Sequence, residues 1–144
     1  TSQLNPNELK KSVFELVGGE KSRDSLVVVQ SFSYRNGIPI DSDMVFDSRC
    51  LPNPFYKKDL RLLSGKDDEV ISYLSSNNVV KDFLEDIYKF LDVWISACLN
   101  KERSYITISI GCTGGRHRSV YCCEQVSKNL KKTWRVLTRH RRLD

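Results

Sequence analysis

The feature that most limits how this chain can fold is a fixed order of four segments near its end. The apolar run Tyr105-Ile106-Thr107-Ile108-Ser109-Ile110 is followed by GCTGGRHRS at 111–119, by a helical pattern from Ser119 to about Lys131, and by the strand-like Trp134-Arg135-Val136-Leu137-Thr138. Strand, turn, helix and strand make a βαβ unit, which implies parallel neighbours and a right-handed crossover. Upstream, LVVVQSF at 26–32 reads as a buried strand ended by the turn-forming RNGIP at 35–39, and Met44-Val45-Phe46 as a short second strand.

Two more helices fit this frame. Residues 67–74 predict a short one. Behind a cap at Asn77 or Asn78, the residues Val80, Phe83, Leu84, Ile87, Phe90, Leu91, Trp94, Ile95 and Cys98 recur at helical spacing. That helix is read as mostly core, its aromatics included. The expected fold class is α/β: a small, mostly parallel sheet with helices on both faces and a phosphate-binding loop at a strand-to-helix turn.

Asn5-Pro6-Asn7-Glu8 resembles a capped helix start, and Leu9, Val13, Leu16 and Val17 share a face until Gly18-Gly19. Residues 1–23 are accordingly read as a leading helix and linker, and 24–144 as the α/β domain. A chain of 144 residues is long enough for one core without disulfides or metals. Five cysteines, an odd number that includes the vicinal Cys122-Cys123, make a poor disulfide framework and point to a reducing cytoplasm. With no C-x2-C pair, and only His117 and His140 as histidines, no metal site is expected. No membrane segment is expected either.

Charge is unevenly placed. Residues 1–100 hold 12 Lys/Arg against 15 Asp/Glu, whereas residues 101–144 hold 11 against 3. Such asymmetry points to one surface that attracts anions. Lys128, Lys131, Lys132, Arg135, Arg139, His140, Arg141 and Arg142 would form one continuous positive surface if the last helix and strand are adjacent, a surface suited to the phosphates of a nucleic acid. Tyr121 and Trp134 are read as packing residues.

The stretch 111–119 lies where α/β sheets gather ligands, at the carboxyl end of a strand. Gly114 and Gly115 let the backbone approach a ligand, the helix start offers N–H groups, and Arg116, His117 and Arg118 add cationic donors. Thr113 to Ser119 therefore form a candidate phosphate floor. The Walker A spacing G-x4-G-K-[ST] is absent. Cys112, Arg118 and Ser119 also match the C-x5-R-[ST] spacing of cysteine-dependent phosphatases, with Cys112 as nucleophile and Asp47 as general acid. Against that rival, Gly111 stands where those enzymes carry His.

Three blocks, SFSYRNGIPIDSDMVFDSRCLPNPFY, SYITISIGCTGGRHRSVYCCEQ and RHRRLD, closely resemble the C-terminal domain of the RNase adapter protein RapZ family, in the family's order. The resemblance implies a P-loop NTPase domain upstream that this chain lacks. It also implies a half that binds small regulatory RNA, presents it to an endoribonuclease, senses an amino-sugar phosphate and assembles as a homo-oligomer. On that reading the domain needs no cofactor and performs no chemistry. Thr113 to Ser119 hold the phosphate, Asp47, Arg49 and Asn53 reach the sugar, and Cys112 is a pocket wall. A nucleotide sugar is the alternative ligand. Where the family often has Pro-Asn-Pro-His, this chain has Pro52-Asn53-Pro54-Phe55.

Overall fold

The computed structural model describes residues 25–100 and 102–143. The leading helix expected within 1–23 lies outside the described residues. The elements run β1 (Leu26–Ser33), β2 (Met44–Asp47), α1 (Asp68–Ser75), α2 (Asn78–Cys98), β3 (Tyr105–Cys112), α3 (Arg118–Leu130) and β4 (Val136–His140). Short 3-10 turns at Tyr34–Asn36 and Pro54–Tyr56 follow β1 and β2.

All four strands are parallel, in the order β2-β3-β1-β4. The two apolar runs occupy the centre, as strands buried on both faces must. Leu26 pairs with Tyr105 and the register continues to Ser33 opposite Cys112. Strand β3 thus runs two residues beyond the apolar stretch, so Cys112 ends a strand rather than sitting in the loop. The last strand begins at Val136, later than expected, because Trp134 N–H still donates to Leu130 O at 2.8 Å and prolongs the helix end.

The core forms where one face of the sheet meets the helices. Val27, Val29, Ile106, Ile108 and Ile110 pack with Val70 and Leu74 of α1, with Val80, Leu84, Ile87, Leu91 and Ile95 of α2, and with Tyr121, Cys122, Val126 and Leu130 of α3. Asn77 caps α2, its Oδ1 accepting from Val79 N at 2.9 Å and Val80 N at 3.3 Å. Among the described residues all three helices pack in this one cluster, where helices on both faces were expected. The opposite face carries a small apolar pair, Leu26 and Val28, and a polar network instead. There Gln30 Nε2 donates to Ser109 Oγ at 2.9 Å and to Asp41 Oδ1 at 3.1 Å.

Two aromatics of α2 depart from the core reading. Phe90 and Trp94 are 44% and 48% exposed, beside Phe46 of edge strand β2, whose ring meets Phe90 edge-on at 5.7 Å. Phe90 and Trp94 stand four residues apart, each one position before a fully buried residue, Leu91 and Ile95, so they lie on the flank of the buried stripe and not at its centre. No helix among the described residues is long and apolar enough to cross a membrane.

Candidate functional site

Because the strands are parallel, β1, β2 and β3 deliver their carboxyl ends to the same edge. Ser33 Oγ donates to Thr113 O at 2.7 Å, while Ser48 donates to Gly111 O from both Oγ and N, at 2.7 and 2.8 Å. These serines, each beside the end of its strand, fasten the 111–117 turn. Gly115 has φ +73°, which favours glycine, and a Cβ there would lie 2.8 Å from Arg142 Cγ and 3.0 Å from Ser33 Cβ. Gly114 has open space around it.

The start of α3 is unprotected by its own cap. Tyr121 N–H donates to His117 O at 3.0 Å, so the N–H groups of Arg118, Ser119 and Val120 precede the first intrahelical bond. His117, the N-cap, makes no side-chain capping bond. Its Nε2 instead lies 3.1 Å from Leu60 O, so that nitrogen carries the hydrogen and donates. A helix end of this kind is complementary to an anion.

Arg118 is 4% exposed and points into the protein. Its Nη1 donates to Arg49 O at 2.7 Å and to Leu51 O at 3.0 Å, clamping the β2-to-turn segment onto α3. Its Nε is buried and has no partner among the described residues. Cys112 is 2% exposed, with Sγ 3.2 Å from Ser119 Oγ. Burial pushes the neighbouring Cys122 and Cys123 thiols well above their ordinary range, and all five cysteines are free.

Gly111 has a plain steric role. A Cβ there would come within 2.4 Å of the Phe32 ring, so the place where cysteine phosphatases carry His admits no side chain. Asp47 is equally unsuited to general-acid work. Its carboxylate accepts from Arg49 N at 2.9 Å, Nε at 2.9 and 3.1 Å, and Nη2 at 2.7 Å. That hydrogen bonding holds its carboxyl below the usual range, hence ionised near neutrality. The Arg49 guanidinium also lies over the Tyr34 ring, 3.8 Å from its centroid. Asn53 caps the second 3-10 turn, its Oδ1 accepting from Phe55 N at 3.0 Å.

Sequence alone does not assign the loop 57–66 to this site, yet the fold brings it there. Besides the His117–Leu60 bond, Gly65 N–H donates to Arg116 O at 2.8 Å, and exposed Arg116 reaches Leu62 O at 3.5 Å. Backbone carbonyls make these contacts, and no pattern of side chains announces them.

The eight basic residues expected to form one surface are divided. Arg139 and Arg141 lie on the polar face. Arg139 bonds Asp41 Oδ2 and Gln30 Oε1, both at 2.9 Å, and Arg141 Nη1 reaches Gln30 Oε1 at 3.5 Å. His140 turns to the helical face, between Ser31 Oγ at 2.8 Å and Glu124 Oε2 at 2.6 Å. Arg135 is half-buried, whereas Lys128, Lys131, Lys132 and Arg142 are exposed. The lysines lie at the far end of α3, whose 13 residues span about 20 Å, while Arg142 lies against Gly115. Tyr121 and Trp134 pack in the core as expected.

A pH effect follows from the buried imidazole. Burial, outweighing the Leu60 carbonyl and aided by Arg116, lowers the His117 pKa below 6.5. A value depressed by folding means stability that is complete above the unfolded value and declines as pH falls through the folded one. The melting temperature is expected to decline as pH falls below about 7, through the ordinary imidazole range, and His117→Gln to flatten that decline. An unchanged profile in the variant would assign the effect elsewhere.

Comparison with known proteins shows the family. A family model described as the RapZ C-terminal domain matches residues 25–144. Nucleotide-binding protein NE1849 of Nitrosomonas europaea is 44% identical over 144 residues, covering 99% of this chain and 50% of the relative. Nucleotide-binding proteins of Saccharophagus degradans and Colwellia psychrerythraea are 43% and 44% identical over the whole chain, and 50% and 51% of their own lengths are covered. The chain thus spans about half the length of these curated relatives. It belongs to the RapZ C-terminal domain family.

Proposed function

We propose that this domain is the ligand-sensing and RNA-binding module of an RNase adapter, that its ligand is an amino-sugar phosphate, and that the domain itself performs no chemistry. The observation that carries the phosphate site is the uncapped start of α3 beside the buried, unpartnered Arg118 Nε. Phosphate oxygens would accept from the N–H groups of 114–119, with exposed Arg116 and Arg142 closing the site and Asp47, Arg49 and Asn53 supplying polar groups toward the sugar. RNA would engage the exposed lysines at the end of α3 through its phosphates, and the nucleoprotein would be offered to an endoribonuclease. A nucleotide sugar satisfies the same anion site and is the second reading, supported by the nucleotide-binding names of the relatives.

Binding is favoured over cysteine catalysis on geometry. A nucleophilic thiolate must be open to phosphorus with its arginine free for the equatorial oxygens. Here Cys112 is buried, Arg118 is committed to two carbonyls, and Asp47 is ionised.

The test is calorimetry with a hexosamine phosphate, the same hexosamine without phosphate, and inorganic phosphate, together with an aryl phosphate turnover assay. Binding of the hexosamine phosphate that survives Cys112→Ser, with the free sugar at least tenfold weaker, is the expected result. Turnover abolished by Cys112→Ser would replace this reading with the phosphatase. A uridine-linked sugar binding more tightly than the simple phosphate would select the nucleotide sugar.

A further inference from the structure

We propose that the arch between Leu51 and Leu60 is a stacking platform for an unpaired RNA segment, separate from the lysines at the far end of α3. The inference rests on the RNA half of the function proposed above and adds a second contact surface to it.

Both feet of the arch are pinned to the start of α3. Arg118 Nη1 holds Arg49 O and Leu51 O at one foot, and His117 Nε2 holds Leu60 O at the other. Between them the chain carries Phe55, 48% exposed, and Tyr56, 78% exposed. The turn that bears them is fixed, and Phe55 is the better held of the two rings. Asn53 Oδ1 caps the turn that bears them, the two rings meet edge-on at 6.1 Å and 81°, and Arg61 lies over Phe55. Its guanidinium carbon is 4.9 Å from that ring centroid and its Nε donates to Phe55 O at 2.9 Å.

Two neighbouring aromatic rings in water leave apolar faces open to a partner, and their surroundings decide what covers them. Between residues 55 and 66 the chain carries Lys57, Lys58, Arg61 and Lys66, all exposed, against one acid, Asp59, while Arg49 is already paired with Asp47 and the acids Asp67, Asp68 and Glu69 begin with α1. Arg116, also exposed, adjoins through its contact with Leu62 O. Aromatic faces interleaved with cations match the way single-stranded nucleic acid is held, bases stacked on rings and phosphates tracked by Lys and Arg. A duplex hides its base faces, so the platform selects unpaired nucleotides. An acidic peptide would use the cations and leave the rings without a flat partner.

Fluorescence anisotropy of a short labelled oligouridylate on the full 144-residue chain tests this, with a fully paired RNA hairpin stem and a labelled polyglutamate as comparators. Phe55→Ala with Tyr56→Ala is expected to weaken oligouridylate about tenfold or more at fixed salt, and to leave the hairpin stem unaffected. Lys57→Ala with Lys58→Ala should reduce the slope of log K against log salt by about 0.7 for each RNA phosphate that these lysines neutralise. Phe55→Tyr with Tyr56→Phe should retain binding, and thermal melting of each variant confirms folding. Unchanged oligouridylate affinity in the double alanine variant overturns the platform, as does polyglutamate that binds as tightly and weakens equally. If Lys131→Ala with Lys132→Ala abolishes RNA binding while the ring variant has no effect, the platform alone falls. If the wild-type chain binds neither RNA, the RNA half of the proposed function falls with it, and calorimetry with the hexosamine phosphate still judges the ligand half.

Discussion

Gly65→Ala is expected to destabilise the chain by about 3 kcal/mol or more and to abolish phosphate binding, although residue 65 is outside the anion loop. A Cβ at 65 would stand 2.4 Å from His117 O and 2.4 Å from Tyr121 N, the two atoms that form the first hydrogen bond of α3, and 2.9 Å from Val120 Cβ. Backbone atoms of a helix cannot step aside as a flexible side chain can. The 57–66 loop must lift, giving up the bonds from Gly65 to Arg116 and from His117 to Leu60, or the first turn of α3 must open. Urea unfolding and phosphate calorimetry on the same variant measure both effects. Gly114→Ala is the natural control, since a Cβ there meets nothing within 4 Å, and its stability should be almost unchanged. A Gly65→Ala protein of wild-type stability would show that the loop is not seated on the helix as described.

Arg118→Ala carries the other large effect, a stability loss of about 2–4 kcal/mol in the absence of any ligand, accompanied by loss of phosphate binding. Removing the guanidinium strips the donor from Arg49 O and Leu51 O and frees the β2-to-turn segment from α3. Arg118→Lys should recover only part of this, because a strongly hydrated ammonium is poorly suited to a site where Arg118 is 4% exposed. The ligand-free measurement is the informative one. An arginine that served only to hold phosphate would leave the empty protein as stable as wild type, or more so, because a buried cation had been removed.

The difference between these two roles marks where sequence reasoning stops. Strands β1 and β3 and helix α2 are legible because burial writes apolar runs and helical periodicity directly into residue types. The 111–119 turn is legible too, since adjacent glycines and clustered cations at a strand-to-helix junction have few structural uses. What cannot be read is whether each donor is already engaged. Arg118 meets acceptors 69 and 67 residues away, and His117 meets one 57 residues away; all three acceptors are backbone carbonyls, which every residue possesses. The C-x5-R spacing therefore identifies a real strand, turn and helix while leaving the direction of its arginine open. Likewise, a run of basic residues gives their number but not their faces, and in β4 and the residues after it alternate side chains turn to opposite sides of the sheet, so Arg139 and His140 find different acids.

The strand order β2-β3-β1-β4 also sets a timetable for a chain emerging from a ribosome. Strand β1 appears first yet has both its neighbours, β3 and β4, later in sequence, and the Ser31–His140 contact joins residues 109 positions apart. Until His140 has left the exit tunnel, the most buried strand of the sheet has one open edge, and an open apolar edge invites pairing with other chains. Folding of this domain is thus bound to finish after translation of β4, and premature termination before residue 136 would release a product prone to aggregation rather than a smaller working module.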